Sequence, residues 1–143
     1  MHRSWVPLLV VDGKSRGQVS RKLVSTVDLV PAMCAMADVE IPFYCDGHNF
    51  LSDKEERKCC LTEYRNGFGT EDFSVYAAVG ERYKLIRFDN GRYECSDLVR
   101  DPAELQNFAE DSAYAGVVRE LTEALLTEIM RTSGTRFPQI CGY

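Results

Sequence analysis

Asn90 and Gly91 constrain what this chain can fold into more than any other pair. They sit between RYKLIRF (82–88) and RYECSDL (92–98), two short runs rich in aromatic and branched residues. Asn-Gly in that position signals a hairpin, because a type I′ turn needs positive φ at both central positions. Upstream, CCLTEYR (59–65) and FSVYAAVG (73–80) have the same strand character and are divided by NGFGTED. Residues 59–98 are therefore expected to form an antiparallel meander of three or four strands. Lys84 and Arg87, on either side of Leu85 and Ile86, are expected to be solvated on the sheet.

Helix signals follow. Asp101 before Pro102, with Glu104 at capping-box spacing, predicts the start of a short helical piece. Further on, Val117, Leu121, Leu125 and Ile129, flanked by Val118 and Leu126, make an apolar stripe at helical spacing. Gly134 is the expected C-cap of that helix, and TRFPQICGY an irregular tail. The many carboxylates here (Asp97, Asp101, Glu104, Glu110, Glu120, Glu123 and Glu128) fit solvated helix faces and caps better than acid/base chemistry.

The first third has a different character. VPLLVV (6–11) is a continuous apolar run closed by DGKSRG, as suits a strand buried on both faces of a parallel sheet. A helix is expected over 28–37, with Ser25 and Asp28 at capping-box spacing and Pro31 confined to the first turn. Leu29, Met33, Met36 and Ala37 give it one apolar stripe. Strand, turn and helix in this order suggest an α/β layer. The charged loop FYCDGHNFLSDKEERK then separates residues 1–52 from residues 53–143.

Composition excludes several function classes. In 143 residues the formal net charge is -5, so a basic face for phosphate contacts is not expected, and nucleic acid is an unsuitable partner. No apolar run approaches the roughly 20 residues of a membrane span. The start of the chain shows no signal-peptide pattern. Six irregularly spaced cysteines, two of them adjacent, favour free thiols in a reducing compartment, and hence the cytoplasm.

Complete catalytic constellations are missing. Cys45 and His48 with Cys59 and Cys60 contain metal-ligand residue types, but an adjacent pair of thiols cannot easily chelate one ion. A cysteine nucleophile would need His2 or His48 as base, and no cysteine has a suitable context. GKSRG lacks the spacing of a phosphate-binding loop.

Two stretches resemble a known family. From Trp5 to Phe50 the chain is similar to the C-terminal part of the sulfatase catalytic domain, with Val6-Pro7, Val27-Asp28-Leu29, Pro31 and Asp46-Gly47 in the family's order. Downstream, YKLIRF and YECSDLVRDPAELQNFAED resemble the small domain that closes many bacterial sulfatases. Tyr83, Lys84, Leu85, Ile86, Glu94, Asp97, Leu98, Asp101, Pro102, Glu104 and Asn107 match, while Cys95 and Ser96 replace the usual leucine and tyrosine. The resemblance implies an α/β (α+β) fold: a fragment of an alkaline-phosphatase-like α/β layer over residues 1–52, then a small antiparallel sheet packed on a C-terminal helix over 53–143.

The departures from the family decide the expected function. No cysteine or serine here begins the x–proline–x–arginine motif in which the family's formylglycine nucleophile forms. The family's metal ligands, too, would lie upstream. The chain is thus expected to be noncatalytic on its own, scaffolding the intact enzyme and lining its substrate pocket with His48, Glu63 and Arg65. A loop role for His48 and a surface ion pair between Glu63 and Arg65 are the simpler alternative for these three. Calcium or another divalent cation and formylglycine are expected only in the intact enzyme, with the N-terminal catalytic portion as partner. A sheet edge left open would also permit a homo-oligomer. Competing readings are a stand-alone interaction module derived from a sulfatase, and a small thiol-dependent enzyme.

Overall fold

A computed structural model of the chain describes residues 6–11, 13, 17–52, 57–66 and 73–133. Gly134, the tail 135–143 with Cys141, and His2 lie outside these residues. The fold is α+β. Four strands, β1 (Cys60–Asn66), β2 (Phe73–Val79), β3 (Tyr83–Phe88) and β4 (Tyr93–Asp97), form one sheet in the order β1-β2-β3-β4. Every neighbouring pair is antiparallel, so the sheet is the expected meander. Helix α1 (Leu29–Ala37) precedes it and helix α2 (Ala115–Thr132) follows, each entered through one 3-10 turn.

The hairpin forms where Asn90-Gly91 places it, but not with the expected turn. Gly91 has φ 86, whereas the only non-glycine residues with positive φ among those described are Asp38 and Glu104. Gly91 N donates to Phe88 O at 3.1 Å and Phe88 N to Arg92 O at 2.9 Å. Three residues thus connect the strands, with one left-handed glycine at the end of the loop, the commonest arrangement after two-residue turns. A type I′ turn would have required Asn90 to be left-handed as well.

Strand alternation sorts the sheet into two faces. Ala78, Leu85 and Cys95 lie opposite one another in register and pack with Cys59, Ala109, Leu121 and Leu125 to form the main core. The α2 stripe is as expected: Leu121 and Leu125 are buried, Val117 and Ile129 pack at the margin of the core, and Leu126 is exposed. The other face holds a smaller cluster of Val75, Ala77 and Ile86, with Phe88 against it.

Three further expectations require correction. Lys84 is not solvated: its side chain is 7% exposed and its Nζ lies 2.5 Å from Glu104 Oε2, itself on a side chain 5% exposed. An ammonium can be withdrawn from water in this way only with a carboxylate to meet it. Asp101 starts no helix. It organises a turn, accepting Gln106 N on Oδ2 at 2.7 Å, while Glu104 takes a left-handed φ of 56. Finally, Val6, Leu9 and Val11 are exposed and in no strand, because the sheet offers this run no partner strand.

The 104–109 segment instead closes one side of the sheet. Asn107 Oδ1 accepts Cys95 N at 2.9 Å and Phe108 N donates to Cys95 O at 2.8 Å. Both outward-facing groups of Cys95, in the middle of β4, are therefore satisfied.

Candidate functional site

Asp28 holds the first third of the chain together. Its carboxylate is 1% exposed, and Arg57 approaches it with two nitrogens: Nη1 is 2.8 Å from Oδ2 and Nη2 is 2.8 Å from Oδ1. Two backbone amides complete the site, Ser25 N to Oδ2 at 2.7 Å and His48 N to Oδ1 at 2.8 Å. A buried carboxylate is thus matched by one planar cation and two N–H donors, as its removal from water demands. Ser25 and Asp28 do show the capping spacing seen in the sequence, but Arg57 is a partner that only the fold supplies.

The loop carrying His48 is fixed from both sides. A Cβ at Gly47 would lie 2.1 Å from Val27 O, so only glycine lets the chain pass over the start of α1. Arg131, in the last turn of α2, donates from Nη1 to Asp46 O at 2.7 Å and from Nη2 to Glu128 Oε2 at 2.7 Å. The Asp46-Gly47-His48 step is therefore positioned by residues from the helix entry, the approach to β1 and the end of α2.

The three pocket candidates are divided between a loop and one strand. His48 is half-buried in this clamped loop. Glu63 and Arg65 are exposed on β1, opposite Tyr76 and Ser74 respectively. The thiols are divided as well. Cys59 is buried in the main core, where burial first, and then the Glu128 carboxylate, push its pKa up to about 11. Cys60 points to the other side of the strand, with its sulfur 3.6 Å from Arg57 Nη1, and burial raises its pKa despite that cation. Both shifts disfavour the thiolate, the form in which a cysteine acts as a nucleophile.

A second buried carboxylate was not recognisable in the sequence. Asp97 is fully buried at the end of β4, where Arg82 Nε and Nη2 meet it at 3.2 and 2.9 Å and the Val99 and Arg100 amides at 3.1 Å. The Arg82 guanidinium, helped by those two amides, lowers its pKa to about 2. It anchors the corner between β4 and the 98–111 segment.

Most distinctive is the surface of α1 and the segment after it. Met33 and Met36, half of the apolar stripe read from the sequence, are 65% and 46% exposed. Only Pro31 and Ala32 of α1 are buried. Val30 on the same helix, and Ile41, Phe43 and Tyr44 in the segment that follows it, are exposed as well.

Comparison with known proteins identifies the fold. The model of the N-sulphoglucosamine sulphohydrolase C-terminal family matches residues 3–131. The chain belongs to this sulfatase family. It is 30% identical over 125 residues to YidJ, described as an uncharacterized sulfatase of Escherichia coli K12, covering 85% of this chain and 25% of the relative. An arylsulfatase of Clostridium perfringens is 28% identical, over 87% of this chain and 27% of the relative. A solved 2-O GAG sulfatase superposes with a TM-score of 0.67 at 23% identity, over 74% of this chain and 24% of its own. The phosphonate monoester hydrolase of Agrobacterium radiobacter superposes with 0.68 at 21% identity, over 79% and 26%. These superpositions show that the chain shares the fold of about a quarter of each structure, and the matching family model is that of a C-terminal region.

This sulfatase chain spans about a quarter of the length of the relatives it matches. Sulfatase relatives imply a divalent cation and formylglycine, and the residues at hand do not fit either. Among the described residues no group of three or more His, Cys, Asp or Glu side chains could hold a metal ion. Nor is any helix among them long and apolar enough to cross a membrane.

Proposed function

We propose that this chain acts as the C-terminal part of a sulfatase, with sulfate-ester hydrolysis carried out by an N-terminal catalytic portion that seats on α1 and residues 39–44. The family match over residues 3–131 carries this reading, and the exposed apolar stripe of α1 gives it a physical form. An amphipathic helix whose apolar side faces water is incomplete until another layer covers it. Calcium or a similar cation, together with formylglycine, belongs to that N-terminal portion. By itself the chain scaffolds and does not turn over substrate.

His48 is the pocket residue this reading favours. Its backbone N–H is bonded to Asp28 and its loop is held by Gly47 and Arg131, and a fixed backbone suits a residue offered to substrate.

A chimera tests the proposal. This chain would replace the last quarter of the Clostridium perfringens arylsulfatase, and aryl sulfate hydrolysis would be measured with calcium present. Activity is expected in the chimera, and none in this chain alone or in the truncated relative. Turnover by this chain alone that survives His48→Ala would overturn the proposal, as would a chimera that folds but leaves the α1 surface open to surface labelling.

A further inference from the structure

We propose that β1 pairs antiparallel with β1 of a second copy of this chain, about a two-fold axis through Tyr64. This interface is separate from the α1 surface and does not depend on sulfatase function.

The two edges of the sheet are treated differently. β4 is closed by Asn107 and Phe108 at Cys95. β1 is the other edge, and its backbone–backbone bonds among the described residues are those of its ladder with β2. It has seven residues and contains neither proline nor lysine, two devices that commonly blunt an edge, and its charges, Glu63 and Arg65, are of opposite sign. An edge of this kind is a template for another strand.

Side chains select both the occupant and the register. Two copies related by a two-fold axis normal to the sheet keep their faces continuous, so residues directly opposed must have the same parity, and a one-residue slip is forbidden. A register centred on Glu63 opposes two carboxylates, and one centred on Arg65 opposes two guanidinium groups. Centring on Tyr64 sets Glu63 of each copy opposite Arg65 of the other, giving two opposite-charge pairs on one face. On the other face the two Tyr64 rings meet. Tyr64 is 56% exposed and already lies 5.6 Å from Phe73, itself 39% exposed, so the pair would bury an aromatic cluster now open to water. The strand is thus complementary to itself, with charge and aromatic side chains agreeing on one register.

The experiment uses the whole chain under reducing conditions, with mass measured by light scattering during size exclusion. A dimer is expected at roughly 100 µM. Glu63→Arg and Arg65→Glu, both at exposed positions, should each weaken it about tenfold or more. An equimolar mixture of these two variants should dimerise again, because each then supplies the charge the other lacks. The double variant E63R/R65E should also dimerise. Circular dichroism establishes that each variant is folded. A monomeric parent chain, association unchanged in the single variants (as contact through α1 would give), or a mixture that stays monomeric would each overturn the proposal.

Discussion

Asp28 and Arg57, 29 residues apart, meet through two 2.8 Å contacts with side chains only 1% and 8% exposed. Such a pair adds little over an apolar one of the same shape, but breaking it strands a charge. Arg57→Met should therefore destabilise the chain by about 3–5 kcal/mol, read as a lower urea midpoint. Adding Asp28→Asn to the same chain should recover part of that loss, since the unpaired carboxylate is gone. A midpoint unchanged in Arg57→Met would show that the contact is not formed in solution.

Gly47→Ala tests the passage of the loop over Val27. The added methyl would meet the Val27 carbonyl at 2.1 Å, and backbone must move to admit it. A loss of roughly 2–4 kcal/mol is expected, with the amide signal of His48 displaced in a two-dimensional NMR spectrum. Gly116→Ala is the control: nothing lies near its Cβ, and alanine is the better helix former, so stability should rise slightly.

Asp97 gives an acid-side prediction. Its pKa falls from 3.8 unfolded to about 2 folded, chiefly through Arg82. Between these values the unfolded chain binds more protons, so stability rises with pH. The contribution is complete above pH 4 and disappears as pH falls towards 2. Asp97→Asn should lower the neutral-pH melting temperature and flatten the dependence in that window. An equally steep acid limb in the variant would assign it to other carboxylates.

Thiol reactivity separates the scaffold reading from a thiol-dependent enzyme. Cys59 and Cys95 are buried, and burial first raises both pKa values, with Glu128 and Asp97 respectively adding to the effect. Mild alkylation of the native chain, followed by peptide mapping, should label the half-buried Cys34 and Cys45 first, and leave Cys59 and Cys95 unmodified until urea is added. Preferential labelling of Cys59 in the native state would restore the enzyme hypothesis.

Local rules made the sheet and helices legible. Asn90-Gly91 located a hairpin, the spacing of Leu121 and Leu125 identified the buried side of α2, and 28–37 anticipated α1 to within one residue. What remained hidden depended on partners distant in sequence. Glu104 has capping-box spacing, but Lys84, 20 residues earlier, takes its carboxylate, and no helix starts there. Asp97 resembles any surface acid until Arg82 crosses the β3–β4 hairpin to meet it. The stripe of α1 was visible, whereas its exposure was not, because periodicity reports that a helix has an apolar side and not whether anything covers it.

The bond from Arg131 to Asp46 spans 85 residues of sequence. On a ribosome adding about 5–20 residues per second, Asp46 emerges several seconds before Arg131 exists. In that interval His48 N can already meet Asp28, but the Asp46 carbonyl must wait for the last turn of α2. A chain ending short of residue 131 would therefore keep the hold on His48 through Asp28 and lose the hold on Asp46.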